Sequence, residues 1–385
     1  MQANISNPKF MKKIILCFFV FQSILVFCQN QSYYLEGTLA KSKIYMSINL
    51  FGSTTEEPNT NAIYFYQNSL KDIPLEGSFK NNEFTLTVEH NDTIREKFIL
   101  KKVANNNFEG IWRGAKGKSF SVKLSSIDFT NYKSDLSENY IDEKLNLVKS
   151  KFLEFKKQKT TTYKNKVIEW YSEKHCNVLF FRLGDNFLEN NKNKVNPVLE
   201  KIHIENILDQ LNCSSSFEYN TGEGIAYETS LTFLNSNLLG FKTSMNWFCG
   251  GAYPDYTTRG FLIDLNTGKN YEIDDIIAFD KSVTTEKESG FDSYSKYRHD
   301  HFAPKLFSIV NAQQYFKKPK DNEEEPCDMT DLNRWDFLTW IYSEKGIEFT
   351  PSFPHAMKGS CEETFLVSFE KLKKYKNPKF KYSFN

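Results

Sequence analysis

The sequence predicts an α+β protein: an N-terminal small antiparallel β-barrel or curled sheet, followed by a C-terminal α+β domain. Three observations carry this. Residues 33–124 read as consecutive short strands separated by Asn- and Gly-containing turns. Residues 136–155 switch to an apolar spacing of three and four. Beyond residue 161, strand patterns come in runs with a few helix patterns segregated between them.

Ahead of the first strand, Met11-Lys12-Lys13 is followed by an apolar run over 14–27 and the polar Gln29. Residues 1–28 therefore read as a secretory signal peptide, too short and wrongly flanked to span a bilayer, with residues 1–10 a mis-called prefix before Met11. Cleavage before Gln29 competes with a lipoprotein reading in which Cys28 is acylated, although Phe27 stands where lipidation needs a small residue. The mature chain is expected to be exported (periplasmic, outer-membrane-associated or extracellular) with no transmembrane segment. With 49 Lys and Arg against 48 Asp and Glu, and no long basic run, it has no charge signature for nucleic acid. The 35 Phe and 20 Tyr accompany many Lys and Asn, the bias of an AT-rich genome, so aromatic abundance alone does not mark a binding surface.

Residues 29–130 form the expected all-β domain. Polar and apolar side chains alternate over 43–50, and further strands follow at 62–67, 73–79, 84–89, 97–101, 108–112 and 119–124. Asn81-Asn82, Asn91-Asp92, residues 105–107 and Lys116-Gly117 supply the turns. Gly37, Gly77 and Gly110, with Tyr34, Tyr64, Tyr66 and Trp112 near them, look like the pattern of small β-domains in secreted bacterial proteins and read as turn and core residues.

Residues 131–160 are expected to be a linking helix, with acids early and lysines late over 136–155, and the polar run 156–164 as a boundary. Residues 161–385 form the α+β domain. Its strands are predicted at 166–171, 177–183, 225–234, 239–248, 257–265, 271–273, 337–342, 347–353 and 363–369. A helix opens at Asn196, as cap, and Pro197, in its first position, and runs to about 211. Another covers 291–316. Asp274 and Asp275 read as a helix cap and a first-turn acid.

Cys17 and Cys28 leave with the signal peptide, and five cysteines remain. In an oxidising compartment the expected pairs are Cys213 with Cys249 and Cys327 with Cys361, the odd count leaving a free thiol. No CxxC or Cys/His spacing suits zinc, so neither metal nor cofactor is expected.

Gly250-Gly251-Ala252, Asp264-Leu265-x-x-Gly268 and Asp274-Asp275-Ile276 lie within 247–275. Together they resemble the C-terminal domain of the anti-sigma factor RsiV, a domain of unknown function also found beside polysaccharide deacetylase domains. The resemblance covers about 161–375 and departs at Tyr253, where the family usually has His. It implies a fold similar to the small α+β subdomains of heat-shock ATPases, without their nucleotide site. It also implies work at the cell envelope, since the RsiV relative binds lysozyme.

Other clusters have plain readings. His299 and His301 on a helix point apart and would not share a metal. Residues 323–325 are a solvated acidic run. His175 and Cys176, neighbours in an expected strand, face opposite sides and make no catalytic pair. Trp247, Tyr253 and Tyr256 cluster around a turn and are the candidate ligand-binding residues, weighed against simple core and loop packing. The expected function is non-catalytic binding of a lysozyme-like protein or a glycan, including peptidoglycan. The alternatives are an envelope polysaccharide-processing enzyme with an unrecognised site, or a structural envelope component.

Overall fold

A computed structural model describes residues 31–51, 59–90, 93–213, 224–249, 253–317 and 327–384. The signal region, Asn91-Asp92, residues 323–325 and Gly250-Gly251-Ala252 lie outside these. The chain divides into two compact units, Met1–Tyr132 and Lys133–Asn385.

The first unit is a closed eight-stranded antiparallel barrel in simple up-and-down order. Its strands are β1 (Gln31–Leu39), β2 (Ser42–Phe51), β3 (Asn59–Tyr66), β4 (Ile73–Lys80), β5 (Glu83–His90), β6 (Thr93–Lys102), β7 (Phe108–Gly114) and β8 (Ser119–Ser126). Closure comes from β1 against β8, from Leu35 opposite Ser126 to Leu39 opposite Val122. Alternate side chains fill the interior, among them Leu35, Ile44, Met46, Ile48, Tyr64, Phe84, Leu86, Phe98, Leu100 and Phe108. Asn81 and Asn82, at φ 52° and 65°, take the left-handed pair of conformations that a tight hairpin turn requires. At Gly110 the strands approach so closely that a Cβ would lie 1.8 Å from the Ile99 carbonyl oxygen.

In the second unit the expected continuous helix over 136–155 is replaced by two short helices, α1 (Glu138–Asp142) and α2 (Lys144–Ser150). The polar run read as a boundary is instead most of a strand, β9 (Phe155–Tyr163). It is the edge of a three-stranded sheet with β10 (Lys166–Glu173) and β11 (Leu179–Leu183), in the order β11-β10-β9. Most of β9 is exposed, so it carries no apolar alternation to mark it as a strand.

Helix α3 spans Glu189–Cys213 and begins a full two turns before the expected start, so Pro197 sits inside it. Asn196 is not a cap: its side-chain amide brackets β11, accepting from Leu183 N at 2.8 Å and donating to Leu183 O at 3.1 Å. The early turns are held by Asn191, whose buried amide donates to the Leu265 carbonyl at 2.7 Å. A central meander follows: β12 (Gly224–Leu234), β13 (Leu238–Phe248) and β14 (Asp255–Asp264). Its two faces serve different cores. Leu234, Leu239, Phe241, Phe261 and Ile263 pack with Ile168, Phe180, Phe181 and Leu199. Phe233, Leu238 and Leu262 belong to the other core, with Trp335, Tyr342, Ile347, Phe349 and Val367. The turn over 266–269 closes only a single bridge, Ile263 with Asn270, and residue 273 starts α4 (Ile273–Ile276) instead of ending a strand.

The expected helix 291–316 is interrupted. After α5 (Glu286–Ser289), α6 (Phe291–Tyr297) runs into a π turn, Arg298–Phe302, and then α7 (Ala303–Gln314). Such a turn inserts one extra residue into the helix, and here it carries a buried arginine. Arg298 Nη1 meets Asp274 Oδ2 at 3.2 Å, its Nε donates to the Asp336 carbonyl at 2.6 Å, and its guanidinium lies 3.6 Å from the Phe302 ring centroid. Helix α8 (Asn333–Asp336) leads to the last sheet, β15 (Thr339–Tyr342), β16 (Gly346–Thr350) and β17 (Phe365–Ser368). Helix α9 (His355–Cys361) lies between the last two strands, and α10 (Phe369–Leu372) follows them. β15 crosses the meander at Gly260, where a Cβ would sit 1.9 Å from the Trp340 carbonyl oxygen. Disulfides join Cys213 to Cys249 and Cys327 to Cys361.

His203, in α3, is fully buried between the rings of Phe155 and Phe180. Nε2 donates to the Val178 carbonyl at 2.8 Å and Nδ1 is buried without a partner. Burial, joined by the nearby Arg182 charge, pushes the imidazole down to about 3.

Two predictions follow from these contacts. Alanine at Gly110 or Gly260 must displace strand backbone, and each is expected to cost about 2 kcal/mol or more in chemical denaturation. His203 titrates near 6.5 when unfolded but near 3 when folded. Between those values the unfolded chain binds a proton that the folded chain does not. Its contribution is complete above pH 6.5 and is lost as pH falls, about 2 kcal/mol by pH 5. A His203→Gln chain should show a correspondingly flatter pH dependence of its denaturation midpoint; equal slopes would disprove the assignment.

Candidate functional site

The sequence-selected aromatics meet residues more than one hundred positions away. Trp247 ends β13 opposite Asp255, the first residue of β14, and is half-buried. Tyr253 is 71% exposed and Tyr256 37% exposed. α9 lies beside them and contributes His355 and Lys358. The Tyr253 and His355 rings are 5.9 Å apart and inclined by 33°.

Asp255 is the hub. It accepts from Lys358 Nζ at 3.1 Å and Tyr256 N–H at 2.8 Å, and pairs with His355 Nδ1 at 3.0 Å. Burial alone would raise its carboxyl, but the hydrogen bonds from His355, the Tyr256 amide and Lys358 outweigh it and hold the group below the usual range. Lys358 also donates to the Tyr256 carbonyl at 3.1 Å and stands 5.6 Å from that ring's centroid. Burial and the neighbouring Glu362 carboxylate keep the Tyr256 phenol above its ordinary value. The buried Cys361, disulfide-bonded to Cys327, fixes the end of α9. The result is a pinned surface of two phenol rings, an imidazole and an ammonium around an already satisfied carboxylate. That arrangement suits recognition; it offers no positioned nucleophile.

The other candidates resolve into local structure. Asp275 accepts from the Glu272 N–H at 3.0 Å, so Glu272, and neither aspartate, occupies the cap position of α4. Asp274 is buried against Arg298; burial pushes its carboxyl up to about 6 while the guanidinium pulls it back. His299 pairs with Asp336 at 2.9 Å, and His301 lies beside the Tyr297 ring at 5.9 Å. His175 and Cys176 are in a turn after β10, not in a strand, and both address the fully buried Glu173. His175 Nδ1 is 2.6 Å and Cys176 Sγ 3.6 Å from different oxygens of that carboxylate. The carboxylate sits between imidazole and thiol, so the pair is not arranged for proton transfer from sulfur to nitrogen. Asp264, of the family-like motif, accepts from Asn266 N–H at 2.8 Å and Lys381 Nζ at 2.9 Å, which ties down the turn and the C-terminal segment.

Sequence reasoning missed His355 and Lys358, which carry no local signal. It also missed a polar groove of about 800 Å³ beside α3, lined by residues including Lys151, Glu169, Asp185, Lys192, Asn193 and Glu200. Both charge signs alternate along it. Most of the charged groups there are matched, as Lys192 is with Glu189 at 2.7 Å and Glu169 with Lys157 at 2.6 Å.

No protein-family model and no curated protein matches this chain. Among solved structures, it is similar to a DUF3298 family member from Bacteroides fragilis, at 16% identity and a TM-score of 0.33, covering 59% of this chain and 94% of that one. It is also similar to a DUF3298 family protein from Pseudomonas aeruginosa, at 8% identity and a TM-score of 0.29, covering 59% and 93%.

Proposed function

We propose that the second unit is a non-catalytic recognition module, RsiV-like in kind, of a protein exported to the cell envelope. Its ligand is a lysozyme-like protein or an envelope glycan, engaged through Tyr253, Tyr256 and His355. The observation that carries this reading is the exposure of Tyr253 at 71% on a surface otherwise immobilised by Asp255, Lys358 and a disulfide. A rigid aromatic projecting from a pinned frame loses little entropy when a ligand covers it, which is what binding anchors require. Two disulfides in one chain suit an oxidising compartment and support the export reading of residues 1–28.

The test uses the mature chain from Gln29 against immobilised lysozyme and against insoluble peptidoglycan. Saturable binding to one of them is expected. A Tyr253→Ala/Tyr256→Ala chain should bind about tenfold or more weaker with an unchanged melting temperature. Cell-wall hydrolysis without stable binding would instead establish the enzyme reading.

A further inference from the structure

The barrel holds a carboxylate where its interior is otherwise apolar and aromatic. Glu96 shares the inward parity of Phe98 and Leu100 on β6, and stands between Val88 of β5 and Gly114 of β7. Its Oε2 accepts from the Tyr64 hydroxyl at 2.5 Å and from the Trp112 indole N–H at 2.9 Å. Both donors are neutral. Burial and the Glu96 charge push the Tyr64 phenol well above its ordinary value, so it stays protonated as a donor. Among the described residues, no lysine, arginine or histidine pairs with Glu96, and Oε1 has no hydrogen-bond partner. The half-buried site therefore keeps a full negative charge.

The surroundings are rich in π-density. The Tyr64 and Tyr66 rings are 5.6 Å apart, Tyr64 also meets Phe98 at 5.2 Å, and Trp112 stacks on Phe120 at 5.8 Å. Gly114 leaves the indole edge uncovered, since a Cβ there would lie 2.6 Å from Trp112 Cη2. An uncompensated carboxylate next to aromatic rings attracts one class of small ligand above others, an organic cation that adds an ion pair to cation–π attraction.

We propose that this end of the barrel, built on Glu96, Tyr64, Tyr66 and Trp112, is a binding site for an organic ammonium group. The ammonium donates to Glu96 Oε1 while its alkyl carbons lie against the rings, and Tyr64 and Trp112 hold the carboxylate in place through Oε2. A neutral molecule of the same shape gains only the apolar contact.

The experiment titrates the mature chain with n-butylammonium chloride at constant ionic strength, read by calorimetry, with n-butanol as the neutral control. Saturable millimolar or tighter binding of the amine is expected, with butanol about tenfold weaker or undetectable. Glu96→Gln keeps an acceptor for Tyr64 and Trp112 while removing the charge. It should retain the barrel's melting transition and lose about tenfold or more in amine affinity. Equal affinity for amine and butanol, an unaltered affinity in Glu96→Gln, or no saturable amine binding would each overturn the proposal. The butanol comparison decides the matter even if the variant does not fold. The recognition surface of the second unit plays no part in this test.

Discussion

Successive side chains of a strand leave on opposite faces, and the second unit depends on that geometry at its central meander. Neighbouring residues Leu238 and Leu239, or Leu262 and Ile263, enter different cores. A register slip of one residue would exchange the two sets and expose both cores at once. The meander therefore fixes where α3 and the β9–β11 sheet can pack on one side and where β15 can cross on the other. Gly240 and Gly260 lie on the face that β15 crosses, where a larger residue would push the crossing strand away. The recognition surface is built at the far end of these same strands, so the placement of Asp255 and Tyr256 follows from the pairing that separates the cores.

The barrel was legible because each of its strands has one apolar face, and period-two alternation is a strong signal even over five or six residues. β9 was not legible, for the converse reason. An edge strand exposed along most of its length has no buried face to write into the sequence, and Phe155, its first residue, was counted as the last member of a helical series. The early turns of α3 were missed in the same way. They are anchored by a buried amide, Asn191, and not by an apolar stripe, so the first strong helix signal was a proline two turns in.

The candidate surface was half visible. Tyr253 and Tyr256 stand out beside a turn, but His355 and Lys358 are brought to them only by the fold. Glycines and acids of the family-like motif attract attention because turns and caps demand those residue types. Asp264 and Asp275 fill such roles through hydrogen bonds to nearby main chain. The carboxylate in the barrel was invisible for another reason. Glu96 sits in a strand whose neighbours Lys97 and Arg95 make it look like one more solvated charge, and only closure of the barrel turns it inward.

The π turn at Arg298–Phe302 has a consequence for how this region tolerates change in chain length. One residue of helix is stored there, and it sets the rotational phase of α7 relative to α6. Deleting a single residue would restore regular helical spacing and turn the following twelve-residue helix by about 100° about its axis. Leu306 and Val310, now buried, would swing out of the core, and Arg298 would lose its approach to Asp274. Loops elsewhere in the unit can gain or lose residues without such a penalty. Across this turn, residue count is itself a structural quantity, and point substitutions are the only variation the helix can absorb.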